Sequence, residues 1–453
     1  MTHTVKRFFG TDGIRGVANT YPMTPEIALK LGKSLGHILS RRSVRRRRPR
    51  IILGKDTRLS GYLFEQAISA GVTSMGADVL LVGPLPTPAI AFLTTSMRAD
   101  AGIVISASHN PYHDNGIKIF DHMGFKISDE TESEIEDLIL KEDLAGSPNI
   151  GKAARIEDAA GRYVVFVKNS FPHSLDIEGM KIILDCANGA SYKVGPVVFE
   201  ELGAEVKAIN AKPDGQNINV KCGSIDPAVL INRVIENGAD LGIALDGDAD
   251  RVIFCDERGN LVDGDKILAI CTEEMLERKE LKGRYVVATQ MSNMALEYFL
   301  NERDIDLYRT EVGDRYVVDA MRKLGSNLGG EKSGHVIFLD HTTTGDGLLA
   351  SLQVLSEMKR LNKPLSEISA RLELFPQLLR SIDVREKVPF ENIEGLNTLV
   401  SNCERKLNSR GRINIRYSGT ELKARVMVEG ENEEIVNNII DDISYMLQTR
   451  IGV

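Results

Sequence analysis

Paired cysteines are missing from this chain. Its five cysteines, Cys186, Cys222, Cys255, Cys271 and Cys403, are scattered with no C-x-x-C spacing, which argues against a zinc ribbon or disulfide framework and for a reduced, cytoplasmic setting. No stretch of about 18 apolar residues is present to span a bilayer, and the opening Met1-Thr2-His3-Thr4-Val5-Lys6-Arg7 lacks the apolar core of a signal peptide. Positive charge is not in surplus either. The 56 Lys and Arg against 64 Asp and Glu leave a net charge of −8, so neither nucleic acid nor a membrane is expected as partner. The local exception is Arg41 to Arg50, where seven arginines fall in ten positions after a helix-like Pro25 to Ser40. No aromatic residues interleave to stack bases, so the run reads as a solvated helix end whose cations suit the carbonyl dipole.

What is present suits a multidomain enzyme. At 453 residues, with 42% hydrophobic and 26% charged, the chain is long enough for about three domains, and two or four also fit. Self-comparison carries more than local propensity. Segments beginning at Arg50, Lys181 and Arg284 each offer a basic start, an apolar strand, a polar turn and a helix; strand, helix, strand units imply sheets with right-handed crossovers. Each then leads to a glycine-containing strand ending in a polar loop: Ser106-Ala107-Ser108-His109-Asn110-Pro111, Asp246-Gly247-Asp248-Ala249-Asp250-Arg251 and Glu331-Lys332-Ser333-Gly334-His335. Ligands of α/β sheets gather at the carboxyl ends of strands, which predicts one cleft lined by all three loops. Past Leu372 the pattern shifts to shorter strands and two helices, with a fourth loop at Arg416-Tyr417-Ser418-Gly419-Thr420. The expected division is 1–155, 156–256, 257–369 and 370–453: three related α/β domains and a smaller, different α+β domain.

Three carboxylates in five residues, Asp246, Asp248 and Asp250, cannot be buried together without a cation, so they predict a divalent-metal site. The flanking strands exclude an EF-hand. A phosphatase with Asp246 as nucleophile shares the local strand-then-D-x-D shape and is the rival enzyme reading. Ser108 precedes an Asn-Pro turn and reads as displayed rather than packed. A protease-like Ser108–His109 pair is not expected, because neighbours on extended backbone point apart and the G-x-S-x-G elbow is absent there. Gly10 to Gly16 reads as a tight turn or, through Arg15, an anion contact; Lys118 reads equally as a solvated edge lysine or a functional one. Arg416, Ser418, Gly419 and Thr420 with Arg425 combine guanidinium, hydroxyl and amide donors suited to phosphate.

Taken in order, Ser-Ala-Ser-His-Asn-Pro, Asp-Gly-Asp-Ala-Asp-Arg, Gly-Glu-x-Ser-Gly-His and Arg-x-Ser-Gly-Thr-Glu make the chain resemble the alpha-D-phosphohexomutase superfamily along essentially its whole length. Phe9 to Gly16 and Val312-Gly313-Asp314-Arg315-Tyr316 resemble its bacterial branch acting on amino-sugar phosphates. The resemblance implies a four-domain fold around a central cleft. It also implies interconversion of glucosamine 6-phosphate and glucosamine 1-phosphate through a phosphoserine and a 1,6-bisphosphate, on the way to UDP-N-acetylglucosamine. It further implies Ser108 as the phosphorylated nucleophile and one Mg²⁺ on Ser108, Asp246, Asp248 and Asp250. Arg15, His109 and Lys118 would lie at the reacting groups, with Arg251, Asp314, Glu331 and Ser333 on the substrate. Arg416, Ser418, Gly419, Thr420 and Arg425 would hold its distal phosphate. A sugar 1,6-bisphosphate is the expected activator, and a homodimer is compatible with these features. Lys332, where glutamine is commoner, and Leu422, where proline is commoner, depart from the pattern without removing a reacting group.

Overall fold

The computed structural model describes residues 8–10, 12–42, 47–141, 144–418 and 422–453. The chain divides into two compact units, one of Met1–Met291 with Tyr308–Ala370, the other of Ser292–Leu307 with Arg371–Val453.

The larger unit holds the three sheets that the repeats predict. In the first, Arg50–Lys55 runs parallel to Asp78–Pro84 and to Ala101–Ile105, and the helix Ser60–Ser74 connects the first two strands. In the second, Lys181–Asp185 is parallel to Glu205–Ile209 and to Leu241–Leu245. In the third, Tyr285–Thr289 is parallel to Leu328–Gly330. All three sheets are mixed. Each glycine-containing strand folds back into an antiparallel partner: Ala101–Ile105 onto Asp114–Asp121, Leu241–Leu245 onto Val252–Asp256, and Leu328–Gly330 onto Val336–Phe338. The polar loops are therefore the turns of three hairpins at strand ends, where backbone groups have no ladder partner.

The second sheet continues past residue 256, where the sequence suggests a boundary. Asp256 accepts hydrogen bonds from the amides of Arg258 and Asn260, which turns the chain so that Leu261–Val262 pairs with Phe254 and Cys255. Helix starts follow their capping residues. Ser128 accepts from the Thr131 amide with Asp129, Glu130 and Glu132 in the first turn, and Asp346 accepts from the Leu348 and Leu349 amides at the head of Gly347–Leu361. That last helix is buried over most of its surface, and its Ser351, Gln353 and Ser356 all find partners.

The smaller unit carries the antiparallel strands Gln377–Asp383, Lys423–Gly430 and Gly411–Tyr417, with Lys423–Gly430 central. Val436, Ile439, Ile440, Ile443 and Leu447 of the helix Glu433–Ile451 belong to its core; their spacing of three and four is the apolar stripe that seats a helix on a sheet face.

The five cysteines are buried and unpaired. Among the described residues no helix is long and apolar enough to cross a membrane. In the arginine run, Arg42 and Arg47 form ion pairs with Glu134 and Asp100, at and beyond the end of the helix Pro25–Arg42.

Candidate active site

Ser108 lies at the turn of the first hairpin with φ of 52°. This left-handed conformation is uncommon for a residue with a side chain and is held in place here by the surroundings. Arg58 Nη2 and Asn219 Nδ2 each donate to the Ser108 carbonyl at 2.9 Å. The Ser108 amide donates to Ser106 Oγ at 2.9 Å, and Ser106 Oγ donates to Asp56 Oδ2 at 2.6 Å. The sequence suggests a displayed serine, but Ser108 is 0% exposed. The cause is long-range: Gly247 of the second hairpin packs against it so closely that a Cβ there would stand 2.6 Å from the Ser108 carbonyl oxygen, which explains glycine between two aspartates. The φ of Ser108 also corrects the expectation that its side chain and that of His109 point apart, since Oγ and His109 Nδ1 approach to 3.4 Å. Burial, then Arg251 and Arg15, lower the His109 pKa to about 4, leaving a neutral imidazole beside the hydroxyl.

The Ser108 hydroxyl donates to Asp246 Oδ2 at 2.7 Å. Asp246, Asp248 and Asp250 are buried and each brings a carboxylate oxygen within 4.8 Å of the others. Asp248 Oδ2 accepts from Thr87 Oγ1 at 2.6 Å and Lys118 Nζ at 3.0 Å, and Asp250 Oδ2 accepts from Lys118 at 3.3 Å. The second oxygens, Asp248 Oδ1 and Asp250 Oδ1, are buried without a hydrogen-bond partner. Burial, then the charges of Asp250 and Asp248, push the Asp246 carboxyl well above the usual range. Burial acts the same way on Asp250, but Lys118 and His335 overcome it and hold that carboxyl well below. Two orphaned hard oxygens beside a carboxyl inclined to keep its proton are what a divalent cation would satisfy, so the residues fit Mg²⁺.

Lys118 is 2% exposed in its side chain, and its strand pairs on both sides, with Ala101–Ile105 and Gly13–Val17, so it is not an edge lysine. Burial disfavours its charge, yet Asp12, Asp248 and Asp250 raise its pKa well above the ordinary value, making it a permanent cation. Gly13 to Val17 is a strand as well as the end of a turn. Gly13 has φ of 82°, and a Cβ there would stand 2.3 Å from the Ile117 carbonyl oxygen. Arg15 pairs with Asp12 and reaches the Ala107 carbonyl at 3.4 Å. The Arg251 amide donates to Asp246 Oδ1 at 3.3 Å, while its Nε is buried with no hydrogen-bond partner.

In the third hairpin, Glu331 accepts from the Gly313 amide at 3.1 Å and from Ser333 Oγ at 3.3 Å. Asp314 forms an ion pair with Lys126 at 2.6 Å and stands 3.7 Å from His335 Nε2. The Gly345 amide donates to His335 Nε2 at 3.0 Å. Burial opposes a proton on this ring, while Asp250 and Asp314 favour one and raise its pKa. Lys126, Thr87, Arg58, Asp56 and Asn219 escape sequence reasoning. Asp12 and His335 lie inside quoted motifs, but nothing local singles them out.

In the smaller unit Arg416 and Arg425 stand directly opposite each other in the strand ladder. Burial, then Arg425, lower the Arg416 pKa. Like charges at such a position are unfavourable until an anion joins them. Lys387 Nζ donates to the Ser418 carbonyl at 2.7 Å, placing a further cation, also missed from sequence, beside that loop. Gly419 and Thr420 lie outside the described residues.

Comparison with known proteins follows the same division. The phosphoglucomutase/phosphomannomutase alpha/beta/alpha domains I, II and III match residues 6–146, 161–259 and 263–375, and the C-terminal domain matches 377–445. A phosphoglucomutase/phosphomannomutase family protein from Burkholderia thailandensis shares the fold at TM-score 0.82 and 22% identity, over 98% of this chain and 99% of that one. N-acetylphosphoglucosamine mutase of Aspergillus fumigatus, solved with GlcNAc-6P and magnesium, aligns at TM-score 0.67 and 16% identity, over 99% and 96%. The class is thus that of the phosphohexomutases, isomerases that act as intramolecular phosphotransferases. Phosphoglucosamine mutases from Nitratidesulfovibrio vulgaris and from Geobacter sp. strain M21 are each 54% identical, over 98% of this chain and 99% of the former and 99% of both chains for the latter. The chain belongs to the phosphoglucosamine mutase family.

Proposed function

We propose that this chain interconverts glucosamine 6-phosphate and glucosamine 1-phosphate through a phosphorylated Ser108 and a glucosamine 1,6-bisphosphate. The observation that carries the reading is the Ser108 hydroxyl, 2.7 Å from Asp246, in a buried nest of three aspartates faced by Lys118. Phosphoryl transfer asks a protein chiefly for positioning and charge neutralisation.

In the first half-reaction the free sugar hydroxyl attacks phosphoserine. The Ser108 Oγ–P bond breaks, a sugar O–P bond forms, and the hydroxyl proton ends on Ser108 Oγ. Neutral His109, whose Nδ1 lies 3.4 Å from that oxygen, relays it. The second half-reaction reverses these steps with the sugar's other phosphate. Lys118, Arg15 and Arg251 stabilise the charge on the transferring group. Mg²⁺ would be held by Asp246, Asp248, Asp250 and the Ser108 phosphate, where it supplies charge neutralisation. Glu331 and Ser333 accept and donate to sugar hydroxyls, Asp314 supports the same wall, and Arg416, Ser418, Gly419, Thr420 and Arg425 bind the distal phosphate. A sugar 1,6-bisphosphate restores phosphoserine when an intermediate escapes. The working domain limits are those expected from sequence, with the second moved from 256 to 262 to keep its hairpin whole.

A coupled assay tests the reading: glucosamine 6-phosphate should give a higher kcat/KM than glucose 6-phosphate or mannose 6-phosphate. A ranking led by glucose 6-phosphate overturns the substrate assignment.

A further inference from the structure

Outside the residues assigned above lies a buried lysine with no role. Lys126 Nζ bridges Asp12 and Asp314, at 2.6 Å from Asp314 Oδ2. Followed outward, these contacts close on themselves. Asp12 also pairs with Lys118 at 3.3 Å, and Lys118 with Asp250 at 3.3 Å. The His335 imidazole stands between Asp250 and Asp314, 3.7 Å from each. Asp250, Lys118, Asp12, Lys126, Asp314 and His335 thus form a ring of carboxylates alternating with nitrogen groups. Its members come from the segments matched by domains I, II and III.

We propose that Lys126 is a positioning residue for phosphoryl transfer: by holding Asp12 and Asp314 together it keeps the Lys118 ammonium on Asp248 and Asp250, where the reacting phosphoryl must sit. Buried charges need partners, and a member of a closed ring cannot change partner without unpairing another. Without the Lys126 cation, Asp12 turns its full charge on Lys118 and Arg15 and draws Lys118 from the metal-site carboxylates. Asp314 is left with His335 and the Arg315 amide.

The Lys126 turn has other anchors. Arg315 binds the Ile127 carbonyl and pairs with Asp129 and Glu132, the Arg322 guanidinium lies 4.3 Å from the Phe125 ring centroid, and Thr343 Oγ1 donates to the Gly124 carbonyl. The backbone around Lys126 is therefore fixed independently of its ammonium, and neutral substitutions should fold.

The inference rests on the mutase reading, and the two fail differently: an inactive wild-type protein sinks the reading, whereas the inference is decided with active wild type as reference. Steady-state kinetics on Lys126→Gln should show kcat down about ten- to hundredfold, the span of one lost charge-assisted contact, with KM within about threefold. Lys126→Arg, which can still bridge two carboxylates, should recover kcat to within about fivefold of wild type. A Gln variant with wild-type kcat, or a loss confined to KM, overturns the proposal. So does an Arg variant as impaired as Gln, since shape and not charge would then be at stake. If Gln fails to fold, Lys126→Met is made in an Asp314→Asn background, where the ring is already open. Lys126 still neutralises Asp12 there, so a further loss of more than about threefold relative to Asp314→Asn alone supports the proposal, and one within about threefold overturns it.

Discussion

Replacing Asp248 with asparagine tests the metal assignment through the two different jobs of its oxygens. Oδ2 accepts from Thr87 at 2.6 Å and from Lys118 at 3.0 Å, while Oδ1 is buried with no hydrogen-bond partner. An asparagine must place its amide at one of these positions. Facing Thr87 and Lys118, the NH₂ meets two donors; facing the other way, it aims a donor where a cation should bind. Neither rotamer works, so the loss exceeds that of one contact. Two charge-assisted interactions at about 1.5–3 kcal/mol each give about 3–6 kcal/mol, or about two to four powers of ten in kcat/KM. The assay is coupled mutase turnover in both directions against Mg²⁺ concentration, alongside thermal unfolding with and without chelator. A cation at about one hundred times its Kd stabilises wild type by about 2.7 kcal/mol, and the variant should lose most of that shift. Wild-type kcat/KM at equal Mg²⁺, or an unchanged Mg²⁺-dependent thermal shift, would refute the reasoning.

Arg416→Ala and Arg425→Ala should each lower kcat/KM about tenfold to over a hundredfold in both directions while leaving Ser108 phosphorylation intact. Because the two guanidiniums face each other across one ladder position, neither change should lower the thermal midpoint; normal kinetics in both variants would remove the distal clamp. A pH test falls on Asp346, whose carboxyl burial raises to about 6 while it accepts from Tyr163 at 2.9 Å. The folded state then holds this proton more tightly than the unfolded chain, so its stabilising contribution is full below about pH 4 and is lost as pH rises through about 6, amounting to about 3 kcal/mol. Asp346→Asn keeps the helix-capping oxygen and should flatten that decline relative to wild type in denaturant unfolding between about pH 4 and 7; parallel profiles would count against it.

Much of the architecture is legible locally. A basic residue, three apolar residues and a glycine-marked helix end recur at Arg50 and Lys181 because each unit must bury one strand and one helix face, and apolar periodicity records that need. The metal loop is legible for the same reason in reverse, since three buried carboxylates have few alternatives to a cation. What stays hidden is set by distance in the chain. The burial of Ser108 depends on Gly247, and its φ depends on Arg58 and Asn219. Lys118 looks like an edge lysine until Gly13–Val17 pairs beyond it. Lys126 follows a tight turn at Gly124 like many surface lysines, and only Asp12 and Asp314, 114 and 188 residues away, make it a buried cation.

The central claim is that Ser108 carries the phosphoryl group and hands it to the sugar. Its most direct test is a single-turnover chase. The protein is labelled with isotopic phosphate from a sugar 1,6-bisphosphate, mapped by peptide mass, and mixed with excess glucosamine 6-phosphate. The account predicts one label, on Ser108, stable to hydroxylamine, absent in Ser108→Ala, and transferred to sugar within one turnover. A hydroxylamine-labile label on Asp246, or turnover by Ser108→Ala, would contradict it.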